Sequence, residues 1–388
     1  MAELFSFFLI IASGLLLSQT FRRLHLPYVT ALIMAGMLVG PVFNLVQVDP
    51  TIVFIGSIGI IFLMFIAGSE VKLKSFSNIG KDVIILAVLN GLIPFAVGTG
   101  IGLFFGFGIF TSLVLGVIFI SSAIAVILPT LEANNMTATK VGELIISSTV
   151  LEDLASLLLL AVILQSFAPK SFLPTPIYLV LIVLIVVILK KFVPALQELF
   201  QHNKVASDIF ESDLRFVVST LIATVLLFEL IGVHAIIAGF VIGVILGDSM
   251  KGEVEAKIRT ISYGIFIPTF FLVIGMQTDL SVFTNNGAIP IAIVIVLGLF
   301  AAKIGSGLLA GKIIGLRKEE GLLIGVASTP QLSTTLAAAF VALELGLLDQ
   351  TLIAALVILT IVTTFVAPLA VKKLVERQKI SPTEVLPW

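Results

Sequence analysis

Apolar runs of about 20 residues, each closed by charged, glycine or proline positions, follow one another along the whole chain. That is the length an α-helix needs to cross the hydrocarbon of a bilayer. The pattern predicts thirteen such helices, near 4–20, 27–47, 51–71, 82–106, 111–132, 138–167, 174–200, 212–230, 233–248, 258–277, 288–313, 318–346 and 350–374. The expected fold class is therefore an all-α polytopic membrane protein forming a single membrane domain over 1–388.

Composition agrees with the pattern. Of 388 residues 59% are hydrophobic and 12% charged, where soluble domains carry about 25% charged residues. Mean hydropathy is +1.22. Phe (30), Gly (31) and Pro (15) are abundant, as suits helices packed in lipid and occasionally broken. There is no Cys, so no disulfide framework and no thiolate metal site is available. His25, His202 and His234 are scattered, and no HExxH, Walker loop or GxSxG occurs. No cofactor is expected, and a net charge of −1 gives no reason for a nucleic-acid partner.

Charge also orients the spans. Glu3 precedes the first apolar run, Arg22 and Arg23 follow it, and no A-x-A cleavage site is present. This is the polarity of a retained helix rather than a signal peptide. With the N-terminus outside, 19 of the 22 basic residues fall at inward ends and loops, among them Lys72, Lys74, Lys81, Lys140, Lys190, Lys191, Lys204, Lys251, Lys257, Arg259 and Lys379. The exceptions are Lys170, Arg215 and Lys303. That bias predicts a multi-pass protein of the cell (inner) membrane with a cytoplasmic C-terminus.

An internal repeat is present. In "FIAGSEVKLKSF" (65–76) and "LVIGMQTDLSVF" (272–283), Gly68, Leu73 and Phe76 match Gly275, Leu280 and Phe283 at an offset of 207 residues. The same offset carries "SSAIAV" from Ser121 onto "STPQLS" from Ser328, two polar interruptions of apolar spans. Corresponding spans are offset by seven, so the copies are antiparallel in the membrane, as in the inverted repeats of secondary transporters. The expected layout is a first repeat over 27–167, linking helices over 168–230, a second repeat over 233–374 and a short cytoplasmic tail over 375–388.

The fifth and twelfth spans each combine mid-depth hydroxyls with a proline. Each is therefore expected to unwind near its centre, the latter at Ser328, Thr329, Pro330 and Gln331. Loose backbone at that depth is tolerated where it lines a cavity or is buried in protein. The competing reading is a pair of proline kinks with hydroxyls bonded back to their own helices.

Most acidic residues in the spans lie near ends, and Glu70, Glu143, Glu229 and Glu344 read as interfacial charges reaching solvent. Glu152, Asp153 and Lys303 are too deep for that. A carboxylate at bilayer centre costs roughly 2.5–3.5 kcal/mol, which marks it as functional. Adjacent helical residues point about 100° apart, so one carboxylate can pair with Lys303 while the other binds something mobile. A carboxylate among hydroxyls (Ser121, Ser122, Thr149) and free carbonyls is a hard oxygen site that suits Na⁺, Li⁺ or K⁺. Such a group can also hold a proton, because burial favours an acid's neutral form. A site taking either H⁺ or a cation is the minimum machinery of antiport.

These residues resemble the monovalent cation:proton antiporters, in the branch that includes Kef-type and NapA-type proteins. "LEDLASLLLLA" is similar to that branch's helix with an acidic or amide residue before an obligatory aspartate. "SSAIAV" resembles its unwound segment, and "IFIPTFFLVIGMQTDL" its "PIFF-VGM-L-L" stretch. Lys303 in "LFAAKIGSGLL" falls where electrogenic members carry a lysine. The resemblance implies a NhaA-like fold with crossed discontinuous helices, Asp153 binding cation and proton alternately, and Glu152 facing Lys303. It also implies a moving core of spans four to six and eleven to thirteen. Spans one to three and eight to ten would form the scaffold of a homodimer. Two departures leave stoichiometry and ion preference open. The acidic pair is Glu-Asp, and "TPQLST" puts Gln331 where many relatives carry a charged "PRGE"-like segment. The Kef-type nucleotide-binding domain is expected to be absent, since the sequence ends at Trp388.

The function expected is Na⁺(Li⁺)/H⁺ antiport by alternating access. A K⁺/H⁺ antiporter of Kef character shares every residue named. A Na⁺-coupled organic-anion symporter needs a wide pocket and paired Na⁺ sites, against which a mid-depth lysine argues. An intramembrane protease needs His ligands, or aspartates on two spans with GxGD in one, and neither pattern occurs. A passive channel would move cations without proton exchange.

Overall fold

The computed structural model describes residues 2–23, 28–70, 80–167, 175–201, 211–247, 249–250, 252–283 and 288–378. Outside these fall His25, His202, Lys72, Leu73, Lys74, Phe76, Lys170, Lys204, Lys251 and, in the expected tail, 379–388. Among the described residues the fold is helical throughout. The helices are α1 (Ala2–Arg23), α2 (Tyr28–Met37), α3 (Pro50–Ser69), α4 (Lys81–Phe104), α5 (Ile109–Ile120), α6 (Ile124–Ala133), α7 (Lys140–Phe167) and α8 (Thr175–Gln201). They continue with α9 (Ser212–Leu230), α10 (Ala235–Gly247), α11 (Gly252–Ile261), α12 (Ile267–Gln277), α13 (Ala288–Ile313), α14 (Lys318–Ala327), α15 (Ser333–Glu344) and α16 (Gln350–Gln378).

Nine helical stretches among the described residues are long and apolar enough to cross a membrane. Large apolar side chains such as Phe8, Leu92, Phe104, Val180, Leu226 and Leu297 are exposed, as expected of surfaces that face lipid rather than water. The protein is a polytopic membrane protein.

The chain forms two compact units. The first comprises 1–17, 32–78 and 164–277. Its helices approach one another through glycine, because lipid-embedded helices gain their attraction from close backbone packing. A methyl carbon on Gly36 would sit 2.1 Å from the Leu272 carbonyl oxygen, and one on Gly275 2.1 Å from that of Ile33. Helices α2 and α12 therefore touch backbone to backbone. Helices α3 and α10 repeat the arrangement: a Cβ on Gly243 would lie 2.2 Å from the Phe65 carbonyl oxygen, and one on Gly68 2.1 Å from that of Phe240. Glu70, expected to reach solvent, is partly exposed and also closes an ion pair with Arg259 at 3.1 Å.

The second unit comprises 18–31, 79–163 and 278–388. Gly98 and Gly102 of α4 meet α5 at Gly116 and Ser112, and Gly307 and Gly311 of α13 meet α14 at Gly325 and Gly321. The fifth span is interrupted at Ser121–Ala123, between α5 and α6, and the twelfth at 328–332, between α14 and α15. Proline accounts for only one interruption. Pro330 lies in the second, whereas Pro129 sits inside α6, well past Ser121. The first is held by partners for its backbone, since a carbonyl or N–H freed from a helix must be satisfied elsewhere at this depth.

Candidate functional site

Every residue of the site belongs to the second unit. The Ala123 N–H at the start of α6 donates to the Pro330 carbonyl (2.8 Å), tying one interruption to the other. Gln331 supplies a second tie. Its Nε2 donates to the Ser121 carbonyl (2.6 Å), and its Oε1 accepts from the hydroxyls of Ser121 (3.2 Å) and Thr335. Its backbone N–H donates to Thr363 Oγ1 on α16 (3.1 Å). A neutral amide, bonded through both side-chain atoms, thus stands where the resemblance points to a charge in many relatives. The Ile120 carbonyl, last of α5, accepts from Lys303 Nζ at 2.6 Å. A cation at the negative end of a helix is electrostatically favoured.

Glu152 and Asp153 have different surroundings. Glu152 is 1% exposed and Lys303 0%, and Lys303 Nζ lies 2.9 Å from Glu152 Oε2. The Ser122 hydroxyl joins them, 3.0 Å from Glu152 and 3.1 Å from Lys303. Asn90 Nδ2 donates to the other oxygen, Glu152 Oε1, at 2.8 Å. Asp153 is 7% exposed. It accepts from the Thr334 hydroxyl (3.4 Å), in the first turn of α15. Thr149, one turn earlier on α7 and so on the same face, is fully buried, and its hydroxyl has no hydrogen-bond partner. An unsatisfied buried hydroxyl costs about 1–3 kcal/mol. The Thr149 hydroxyl lies one turn from the buried Asp153 carboxylate.

The hydroxyls expected at a cation are therefore partly redistributed. Thr149 shares a face with Asp153. The Ser122 hydroxyl accepts from Lys303, and its one proton lies between the Ser328 carbonyl (2.8 Å) and Glu152 Oε2 (3.0 Å); the Ser121 hydroxyl lies against Gln331 and Thr335. Ser328 and Thr329 bond back to Ile324 and Val326 of their own helix. Sequence reasoning missed Asn90, Ser306, Thr334, Thr335 and Thr363. The available signal was a lone Asn in "VLNGLIP" at the middle of an apolar span. The threonines gave none, because hydroxyls in apolar helices bond equally well to their own backbone.

An all-helical membrane protein whose two interrupted spans meet beside a buried carboxylate has the build of a secondary transporter. The sequence profile described as "Sodium/hydrogen exchanger, transmembrane" matches residues 8–377, and the chain belongs to that family of cation:proton antiporters. It is 30% identical over 372 residues to the probable Na(+)/H(+) antiporter 3 of Methanocaldococcus jannaschii, covering 94% of this chain and 95% of that one. It is 28% identical over 376 residues to the Na(+)/H(+)-K(+) antiporter GerN of Bacillus cereus, covering 94% of each. The solved structure of the sodium proton antiporter MjNhaP1 from Methanocaldococcus jannaschii superposes with a TM-score of 0.68, over 97% of this chain and 98% of that chain. At 17% identity that likeness is one of fold.

Proposed function

We propose that the protein exchanges a monovalent cation, Na⁺ or Li⁺, for H⁺ by alternating access, the two competing for Asp153. The observation that carries this reading is the division of labour on α7. Glu152 is neutralised by Lys303 at 2.9 Å, while Asp153 has no basic partner among the described ion pairs and shares its face with the unpartnered Thr149 hydroxyl. Asp153, Thr149 and Thr334 are the proposed cation ligands. A cation bound there offsets the carboxylate's charge, as does a proton, and the two cannot share it. Ser121, Ser122 and Gln331 are proposed to hold the interrupted segments rather than the ion.

The finer architecture belongs to the same proposal. Thirteen crossings follow if α2, α9, α10 and the α14–α15 pair join the nine long stretches. An inverted repeat is supported by glycine contacts that recur at nearly the same offset. Adding 207 to Gly36, and subtracting it from Leu272, yields the Gly243–Phe65 contact, and the same operation turns Gly275–Ile33 into Gly68–Phe240. At an offset of 209, Gly98–Gly116 and Gly102–Ser112 become Gly307–Gly325 and Gly311–Gly321. An orientation with the N-terminus outside, in the cell membrane, rests on the basic residues, and a homodimer on likeness to the family.

A K⁺/H⁺ reading has one observation in its favour, the similarity to GerN, a relative named as a Na(+)/H(+)-K(+) antiporter. Purified protein in proteoliposomes carrying a pH dye, challenged in turn with Na⁺, Li⁺, K⁺ and choline, separates the two. Na⁺ and Li⁺ are expected to drive proton flux and choline none. Flux with K⁺ alone would move the assignment to K⁺/H⁺ exchange, and flux with none would end it.

A further inference from the structure

Lys303 is within electrostatic reach of Asp153 as well as Glu152, and an ammonium is itself a monovalent cation. Around it lies a cage of oxygens. Its Nζ has four of them at 3.2 Å or less: Ile120 O, Glu152 Oε2, Ser122 Oγ and the Asn90 backbone O. An ammonium carries three donors, so the cage leaves none over for Asp153. The cage in turn depends on Glu152 staying where it is. Its other oxygen, Oε1, is held by Asn90 Nδ2 (2.8 Å), and the amide's orientation is set by Ser306 Oγ, which donates to Asn90 Oδ1 at 2.7 Å. Asn90 and Ser306 are fully buried. Ser306 lies one turn after Lys303 on α13, and its single hydroxyl proton has Asn90 Oδ1 as the nearer acceptor, ahead of the Lys303 carbonyl at 3.0 Å. A satisfied polar chain at this depth fixes one arrangement, since each broken link strands a buried group.

We propose that Asn90 and Ser306 are positioning residues that keep Glu152 on Lys303, and so keep the Lys303 ammonium from taking the transported cation's place on Asp153. This rests on the exchange reading above. Without the Asn90 amide, Glu152 loses one of its anchors, the pair loosens, and Lys303 becomes a tethered competitor for Asp153. The consequence is specific: affinity for the cation falls while the maximal rate is largely kept, because a saturating cation still displaces the lysine.

The test is Na⁺ titration of the full chain, read both as proton flux in proteoliposomes and as the Na⁺-dependent rise in melting temperature, which needs only a folded protein. Asn90→Ala is expected to raise the half-maximal Na⁺ concentration about tenfold, the effect of one hydrogen bond to a charged group. The maximal rate should stay within about twofold. Ser306→Ala, a milder change that keeps the packing, should raise the half-maximal concentration about threefold. In a Glu152→Gln, Lys303→Gln background the competitor is gone and no charge is stranded. Adding Asn90→Ala there should shift the half-maximal concentration by less than about twofold. A purely structural defect would persist in that background. An unchanged half-maximal concentration in Asn90→Ala and Ser306→Ala, or a rise equally large in the Gln background, would overturn the proposal. Wild-type protein without any Na⁺-driven flux would overturn the exchange reading itself, so the two failures are distinguishable.

Discussion

Glu152 and Asp153 are neighbours on α7, yet their side chains leave the helix about 100° apart and reach partners of different kinds. Glu152 meets a lysine and an amide, and Asp153 meets a threonine hydroxyl. Removing one partner from a buried ion pair strands the other charge and costs about 3–5 kcal/mol, whereas replacing both by neutral groups leaves no charge stranded. Lys303→Ala and Glu152→Ala are each expected to lower the melting temperature clearly. Glu152→Gln combined with Lys303→Gln should recover most of the loss, as a double-mutant cycle on purified protein will read. At Asp153 the sign of the pH effect follows from competition. Lowering pH fills the carboxylate with a proton, so the apparent cation KM should rise as pH falls through the site's titration and level off above it. A KM flat across that range, in flux measured at fixed proton gradient, would contradict a shared site.

At the scale of the element, the glycine contacts set a demand that side chains cannot meet. A Cβ on Gly36 or Gly243 would lie 2.1 or 2.2 Å from a carbonyl oxygen of the facing helix, while one on Gly100 of α4 meets nothing within 4 Å. Gly243→Ala is expected to destabilise by about 1–3 kcal/mol, the range for overpacking. Gly100→Ala should be neutral or slightly stabilising, since alanine favours helix over glycine. Thermal melting in detergent compares the two directly. Much of this level is legible in the sequence alone. Hydropathy locates the helices because lipid demands long apolar runs, and the polar interruptions at Ser121 and Ser328 stand out for the same reason. The cause of the first interruption is not legible. Pro129 is the local signal, but the backbone there is held by Lys303, Pro330 and Gln331, between 183 and 210 positions away. Contacts over such distances leave no local trace. The same holds for Ser122, whose position predicted a cation ligand and whose hydroxyl lies on the ion pair.

For the whole molecule, the central claim is that one carboxylate, Asp153, binds cation and proton in turn. One of the two compact units holds the entire site, which suits a transporter that carries its site as one body. The most direct measurement is calorimetry of Na⁺ binding to the purified protein, in buffers of differing ionisation enthalpy, at a pH where Asp153 is protonated. Competition at a shared carboxylate requires that each Na⁺ bound release about one proton, so the observed heat should shift with the buffer's ionisation enthalpy by about that amount. In Asp153→Asn both the Na⁺ heat and its buffer dependence should vanish while the protein stays folded. Na⁺ binding whose heat is the same in every buffer, or that survives in Asp153→Asn, would contradict the claim.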